Sequence, residues 1–172
     1  NHEKETFFSF TDSEQREINL EKKPERVAVL FSSYAEMWLL AGGEVYVTVG
    51  ESVERGFAAE GTLLVDSGAG KSIDRETLVA SSPDLVIASA DIAAQAELAD
   101  FLENVGIPCA LFRVDSFYDY ADVMEKLCAI TERDDLYEKN VQRVAAEIEN
   151  ILNFKKDYPQ HHIFRLEQNY RS

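Results

Sequence analysis

The chain has 172 residues with 32 acidic against 17 basic side chains, a formal net charge of -15 and a pI near 4.5. Its length fits one ordinary domain of about 150 residues, and an apolar share of 45% with 28% charged residues excludes wholesale disorder. Its field repels nucleic-acid backbones and anionic lipid surfaces, and no apolar run approaches the roughly 20 residues that span a bilayer.

Phe7 to Asp12 and Glu17 to Leu20 alternate around Ser13-Glu14-Gln15, which predicts a small hairpin punctuated by Pro24. From Arg26 the pattern changes to short apolar runs separated by helical stretches. Val27 to Phe31 reads as a strand, Tyr34 to Ala41 as a helix closed by Gly42-Gly43, and Val45 to Val49 as a second strand. A loop through Gly50, Gly56 and Gly61 leads to a short run, Thr62 to Val65. A helix from Ile73 to Ser81 follows, then Pro83 and the strand Asp84-Leu-Val-Ile-Ala-Ser89. Asp91 is placed to cap a helix whose Leu98, Leu102 and Val105 share one face; Gly106 ends it, and Pro108 introduces the strand Cys109 to Val114. A further helix runs from Phe117 to Thr131.

Strands that read as continuous apolar runs, joined by helical crossovers, indicate a parallel sheet covered on both faces. The predicted fold is α/β: a doubly wound, Rossmann-like lobe with an N-terminal hairpin and a long C-terminal helix. That helix, Asp135 to Phe154, carries Val141, Val144, Ala145, Ile148, Ile151 and Leu152 on one stripe. Tyr158 to Ser172 offers one further candidate strand, Ile163 to Leu166, and a polar tail.

Several motifs admit chemistry. Ser67-Gly68-Ala69-Gly70-Lys71-Ser72 ends in the Gly-Lys-Ser of a phosphate-binding loop, but Val65 stands where that pattern requires glycine. The competing reading is a tight glycine turn with Ser72 capping the next helix. Adjacent His161 and His162 have no Asp, Glu or Cys at ligand spacing, so no resident metal or cofactor is expected. A serine or cysteine nucleophile has only these two histidines and His2 to call on. Cys109 and Cys128 match no metal spacing and read as buried thiols, a single disulfide being the alternative in an oxidising compartment.

In an open α/β sheet, ligands meet the loops beyond the carboxyl ends of the strands. Those loops are Ser32-Ser33-Tyr34, Gly50-Glu51-Ser52, Gly68 to Lys71, Ser89-Ala90-Asp91 and Asp115-Ser116-Phe117-Tyr118. Hydroxyls and aromatics dominate them, a composition suited to a bulky, partly apolar small molecule. Packing at helix starts is the alternative role for Tyr34, Phe117 and Tyr118.

Phe10-Thr-Asp12, Glu17-Ile-Asn-Leu20, Lys23-Pro24-Glu-Arg26-Val27, the segment through Ser33 and Glu36, and Ile73-Asp-Arg-Glu76 followed by Ser82-Pro83-Asp84-Leu85-Val86-Ile87 resemble the first lobe of the periplasmic binding proteins for iron siderophores, haem and vitamin B12. The likeness runs from Phe10 to Leu152. It implies no reaction but capture of a metal chelate between two α/β lobes, as the solute-binding component of an ABC importer. On this resemblance, residues 1–134 form the N-terminal lobe, 135–157 the long inter-lobe helix and 158–172 a short tail, the second lobe being absent through fragmentation or a shortened gene product. One wall of the site for a ferric siderophore, haem or cobalamin would be Ser33, Tyr34, Lys71, Ser89, Asp91 and Tyr118, with Arg55 or Arg113 meeting the chelate where it is anionic. Glu76, seven residues before Pro83, takes the place of the glutamate that docks on arginines of the membrane permease. The resemblance further implies an extracytoplasmic protein, lipid-anchored through a cysteine upstream of Asn1; an isolated lobe would leave apolar faces of the sheet edge and the long helix uncovered, a route to self-association. A nucleotide-binding enzyme using Gly70-Lys71-Ser72, or a stand-alone interaction domain, are the competing classes.

Overall fold

Five short apolar runs build the centre of the protein. In this computed structural model, which describes residues 6–66 and 72–155, they are β3 (Val27–Val29), β4 (Val47–Thr48), β5 (Leu63–Leu64), β6 (Leu85–Ser89) and β7 (Cys109–Phe112). Every pairing among them is parallel and the order is β5-β4-β3-β6-β7, so the sheet winds outward in both directions from β3. This is the expected doubly wound arrangement. Ahead of it, β1 (Phe8–Thr11) and β2 (Glu17–Leu20) form the expected antiparallel hairpin, Phe10 opposite Ile18.

Contacts divide the chain into two compact units, Asn1–Arg113 and Val114–Ser172. In the first, one sheet face contributes Ala28, Leu30, Val86, Ala88 and Leu111 to a core that includes Leu78 of α3 (Arg75–Ala80) and Leu98 and Leu102 of α4 (Ala93–Asn104). On the opposite face Tyr34 of α1 (Ser32–Leu40) and Phe10 of the hairpin each bring a ring to within 6.2 Å of Phe112. Two glycines are conformationally required. Gly106 stands at φ +83 after α4, in the left-handed region that lets the chain turn back towards β7. Gly43 leaves room for Trp38, whose indole N–H donates to the Glu44 carbonyl at 2.8 Å; a Cβ there would collide with the ring.

The second unit holds α5 (Phe117–Thr131), α6 (Asp134–Tyr137), a π-helical turn (Glu138–Gln142) and α7 (Arg143–Lys155). Ser116 Oγ accepts from the Asp119 N–H to cap α5, and Glu132 closes it in the left-handed conformation. The long helix expected from Asp135 is therefore present from Asp134 onward, broken in register by the π turn.

Several local expectations are corrected. The loop at Gly50 contains a short helix, α2 (Gly50–Glu54). Asp91 does not cap α4: Ile92 is its N-cap residue, without a side-chain cap, because the Asp91 carboxylate pairs with Arg113. Val105 lies past the last helical turn and is 48% exposed, off the face of Leu98 and Leu102. Asp74, not Ser72, caps α3, accepting from the N–H groups of Glu76 and Thr77. The strand expected at Ile163 to Leu166, the histidine pair and nearly all of the Gly-Lys-Ser loop lie outside the described residues.

Candidate functional site

Parallel strands place all their carboxyl ends on one rim, and within the first unit that rim gathers Ser32 and Ser33 after β3, Arg55 at the close of α2, Ser89 at the end of β6, Asp91 just beyond it, and Arg113 after β7. The order reverses between β3 and β6, where doubly wound sheets open their crevice. Here Gln95 bridges the crevice. Its Oε1 accepts from the Ser89 N–H at 2.7 Å and its Nε2 donates to the Leu30 carbonyl at 2.9 Å, both within a buried setting.

Arg55 follows a buried hydroxyl network. Thr48 Oγ1 donates to the Val29 carbonyl and is bonded to Ser52 Oγ, each at 2.8 Å, which fixes α2 against the ends of β3 and β4. The Gly50 N–H donates to Asp66 Oδ1 at 2.8 Å, holding the start of the same helix. Arg55 Nη1 then donates to Ser32 Oγ at 2.9 Å and lies 3.5 Å from Ser33 Oγ, with the guanidinium 4.8 Å above the Phe57 ring. Among the described residues no carboxylate pairs with it. The arrangement leaves an exposed cation oriented by hydroxyls and an aromatic face, and able to receive an anion.

Arg113 is differently placed. Its Nε donates to Asp91 Oδ1 at 2.8 Å and its Nη2 to Glu14 Oε1 at 2.7 Å. Asp91 first and Glu14 second hold the guanidinium pKa above its ordinary value. Glu14 belongs to the hairpin turn, which is fastened along β7: the Ser13 N–H donates to the Leu111 carbonyl at 2.9 Å, and the Leu111 and Arg113 N–H groups donate to Asp12 Oδ2 and Ser13 Oγ at 3.0 and 2.9 Å.

The other expected site residues divide. Ser33 is partly buried beside Arg55, and Ser89 is buried with its Oγ accepting from the Asp91 N–H at 3.2 Å. Tyr34 is not a rim residue: it is buried, and its hydroxyl donates to the Phe112 carbonyl at 2.9 Å, so packing holds it. Tyr118 belongs to the second unit and is 86% exposed in the first turn of α5. Glu76 is exposed in the first turn of α3. Lys71 lies outside the described residues. Glu14 and Gln95 were missed by sequence reasoning; a glutamine on the Leu98 and Leu102 stripe was the available signal for the second, whereas nothing local marked the first.

Cys109 and Cys128 are buried free thiols, as expected. Burial pushes Cys109 up to about 12 and Cys128 up to about 11. Among the described residues no group of three or more His, Cys, Asp or Glu is placed to hold a metal ion, and no helix is long and apolar enough to cross a membrane. A groove of about 890 Å³ lies at the opposite end of the sheet from the rim, between β2 and the approaches to β6 and β7, lined by Asn19, Leu20, Asp84, Ile107 and Pro108 among others.

Comparison with solved structures returns the same architecture. A periplasmic solute binding protein from Veillonella parvula superposes with a TM-score of 0.74 at 16% identity, covering 89% of this chain and 50% of that one. The siderophore binding protein BauB, bound to a complex of two acinetobactin molecules and ferric iron, gives 0.69 at 16%, covering 88% and 55%. The heme binding protein HmuT gives 0.65 at 19%, covering 93% and 52%. The chain thus spans about half the length of these structures. No curated protein matches it in sequence. The profile of one family, periplasmic binding protein, matches residues 27–160, from the first strand of the parallel sheet past the long helix. The chain belongs to the periplasmic binding protein family.

Proposed function

We propose that the rim of the first unit is one wall of a site that captures a metal chelate, of the ferric siderophore, haem or cobalamin class, with Arg55 meeting an anionic group where the chelate presents one, in the solute-binding component of an ABC importer. Family membership supports binding rather than catalysis and an extracytoplasmic setting. The iron-siderophore complex of one similar structure and the haem-binding name of another support an iron chelate as cargo. The observation that carries the reading is Arg55. In a chain of net charge -15, it stands at the carboxyl rim with hydroxyl and aromatic neighbours and no carboxylate partner among the described residues. Ser33, Ser89 and Asp91 complete the proposed wall within the first unit.

Calorimetric titration of the 172-residue chain with a ferric siderophore, haem and cobalamin, against ATP with magnesium, tests this. A single wall supplies about half the contact of a cleft while most of the rigid-body entropy loss remains, so binding on the order of micromolar is expected. Arg55→Gln, which removes a charge-assisted hydrogen bond, should weaken it about tenfold or more. Saturable ATP binding with no chelate binding overturns the reading.

Delivery to a permease, with lipid anchoring of the mature protein, completes the proposal. Glu76 is the docking residue, exposed on α3 and free to meet an arginine. Glu76→Arg should abolish uptake in cells that carry the whole transporter while leaving chelate affinity intact; undiminished uptake removes Glu76 from that role.

A further inference from the structure

Arg55 and Arg113 stand on the same rim of the first unit, one beyond β4 and the other beyond β7, three strands apart or about 15 Å at roughly 4.8 Å per strand. Their surroundings are opposite. Arg55 meets neutral groups, whereas Arg113 is gripped by Asp91 from the loop after β6 and Glu14 from the hairpin turn. Glu14 is not part of the sheet at all. The bonds from Asp12 and Ser13 to Leu111 and Arg113 bring it there, giving a Glu-Arg-Asp cluster of net charge -1 whose side chains are 38%, 35% and 56% exposed. Exposed pairs of this kind are individually weak, so the guanidinium is within reach of a competing anion.

We propose that Glu14 is a specificity-determining residue: its carboxylate occupies the side of Arg113 that a ligand anion would otherwise take, so that among the described residues the wall offers one cationic contact without a carboxylate partner, Arg55, and discriminates among chelates by the number of anionic groups they present. This rests on the reading of the rim as a ligand wall. A chelate presenting a second anion towards β7 must displace Glu14 or face two carboxylates. A neutral chelate meets neither obstacle.

Glu14→Gln keeps an oxygen for Arg113 Nη2 and removes only the charge. Glu17→Gln removes the same charge from the same hairpin, away from Arg113. Affinities for a trianionic ferric tris-catecholate and a neutral ferric tris-hydroxamate are measured for both variants and the parent chain. Glu14→Gln should raise the ratio of trianionic to neutral affinity about fivefold or more, the size of one contact between unit charges in water. Glu17→Gln should leave the ratio unchanged. An unchanged ratio in Glu14→Gln, or an equal rise in Glu17→Gln, overturns the proposal. A second readout needs no chelate: the Arg113 Nε–H resonance is followed by NMR as citrate is added, and Glu14→Gln should lower the midpoint about fivefold. If the parent chain binds neither chelate, the rim reading fails, and equal citrate midpoints then separately dismiss the role given to Glu14.

Discussion

The Asp12 carboxylate, buried at the hairpin turn, accepts from the N–H groups of Glu14, Arg16 and Leu111 at 3.0 Å each and lies 3.3 Å from the Arg16 guanidinium. Two of these partners belong to the turn and one to β7, so a single side chain joins elements 99 residues apart in sequence. Removing it leaves the buried Leu111 N–H without its acceptor, while Arg16 keeps Glu103 and the Cys109 carbonyl. Asp12→Ala should therefore lower stability by about 2–3 kcal/mol in urea unfolding, the cost of an unsatisfied buried group and lost bonds to a charged acceptor. Cys109 bears on pH. Burial lifts its pKa from 9.0 to about 12, so between those values the folded chain keeps a proton that the unfolded chain has released, and stability falls as pH rises. The loss is at most about 1.4 kcal/mol per pH unit for one thiol. Urea midpoints from pH 8 to pH 11 should fall less steeply in Cys109→Ala than in the parent chain; parallel profiles would dismiss the buried thiol as the cause.

Among the elements, α4 does the most to define the rim, because Gln95 in its first turn ties β3 to β6 where the sheet reverses direction. Gln95→Leu fits a similar volume but leaves the Ser89 N–H and Leu30 carbonyl buried without partners. A loss of about 2–4 kcal/mol in thermal or urea unfolding is expected, and a variant as stable as the parent would show that the bridge is dispensable. The strands and most helices were legible in the sequence because their signals are local: apolar runs set off by Pro24, Pro83, Pro108 and Gly106. What was not legible depends on distance or brevity. A five-residue helix such as α2 is too short to show a period, and the π turn at Glu138–Gln142 leaves the stripe of Val141, Val144 and Ile148 superficially continuous. Asp91 looks like a helix cap until Arg113, 22 residues on, claims it. Tyr34 looks like a rim aromatic until the Phe112 carbonyl, 78 residues on, takes its hydroxyl. At the site, the family resemblance nominated both Arg55 and Arg113; only the fold shows that among the described residues one has no carboxylate partner and the other is held by two.

For the whole molecule, a net charge of -15 opposes any anionic cargo at long range, while Arg55 attracts it at contact. Salt acts on the two unequally, since a Debye length of about 8 Å at physiological ionic strength removes the distant repulsion first. Association rates for an anionic chelate, followed by stopped flow, should therefore rise between about 10 and 150 mM salt. A rate that falls over that range would mean local attraction dominates the encounter. Shape matters at this scale too. The hairpin turn engages both the N–H and the carbonyl of Leu111, so the outer side of β7 is already occupied, whereas the sheet's other margin is the pair Leu63–Leu64, with Leu63 45% exposed. Among the described residues of the first unit one sheet margin is closed and the other is not, which would limit the grammar of assembly: two copies joined through β5 would consume each other's free side and leave nothing on which a third could add. The turn would in that sense act as a chain terminator against fibre growth. Concentrated solutions should hold monomers and pairs by sedimentation, and Asp12→Ala, by undoing the terminator, should be the variant that forms thioflavin-positive fibrils.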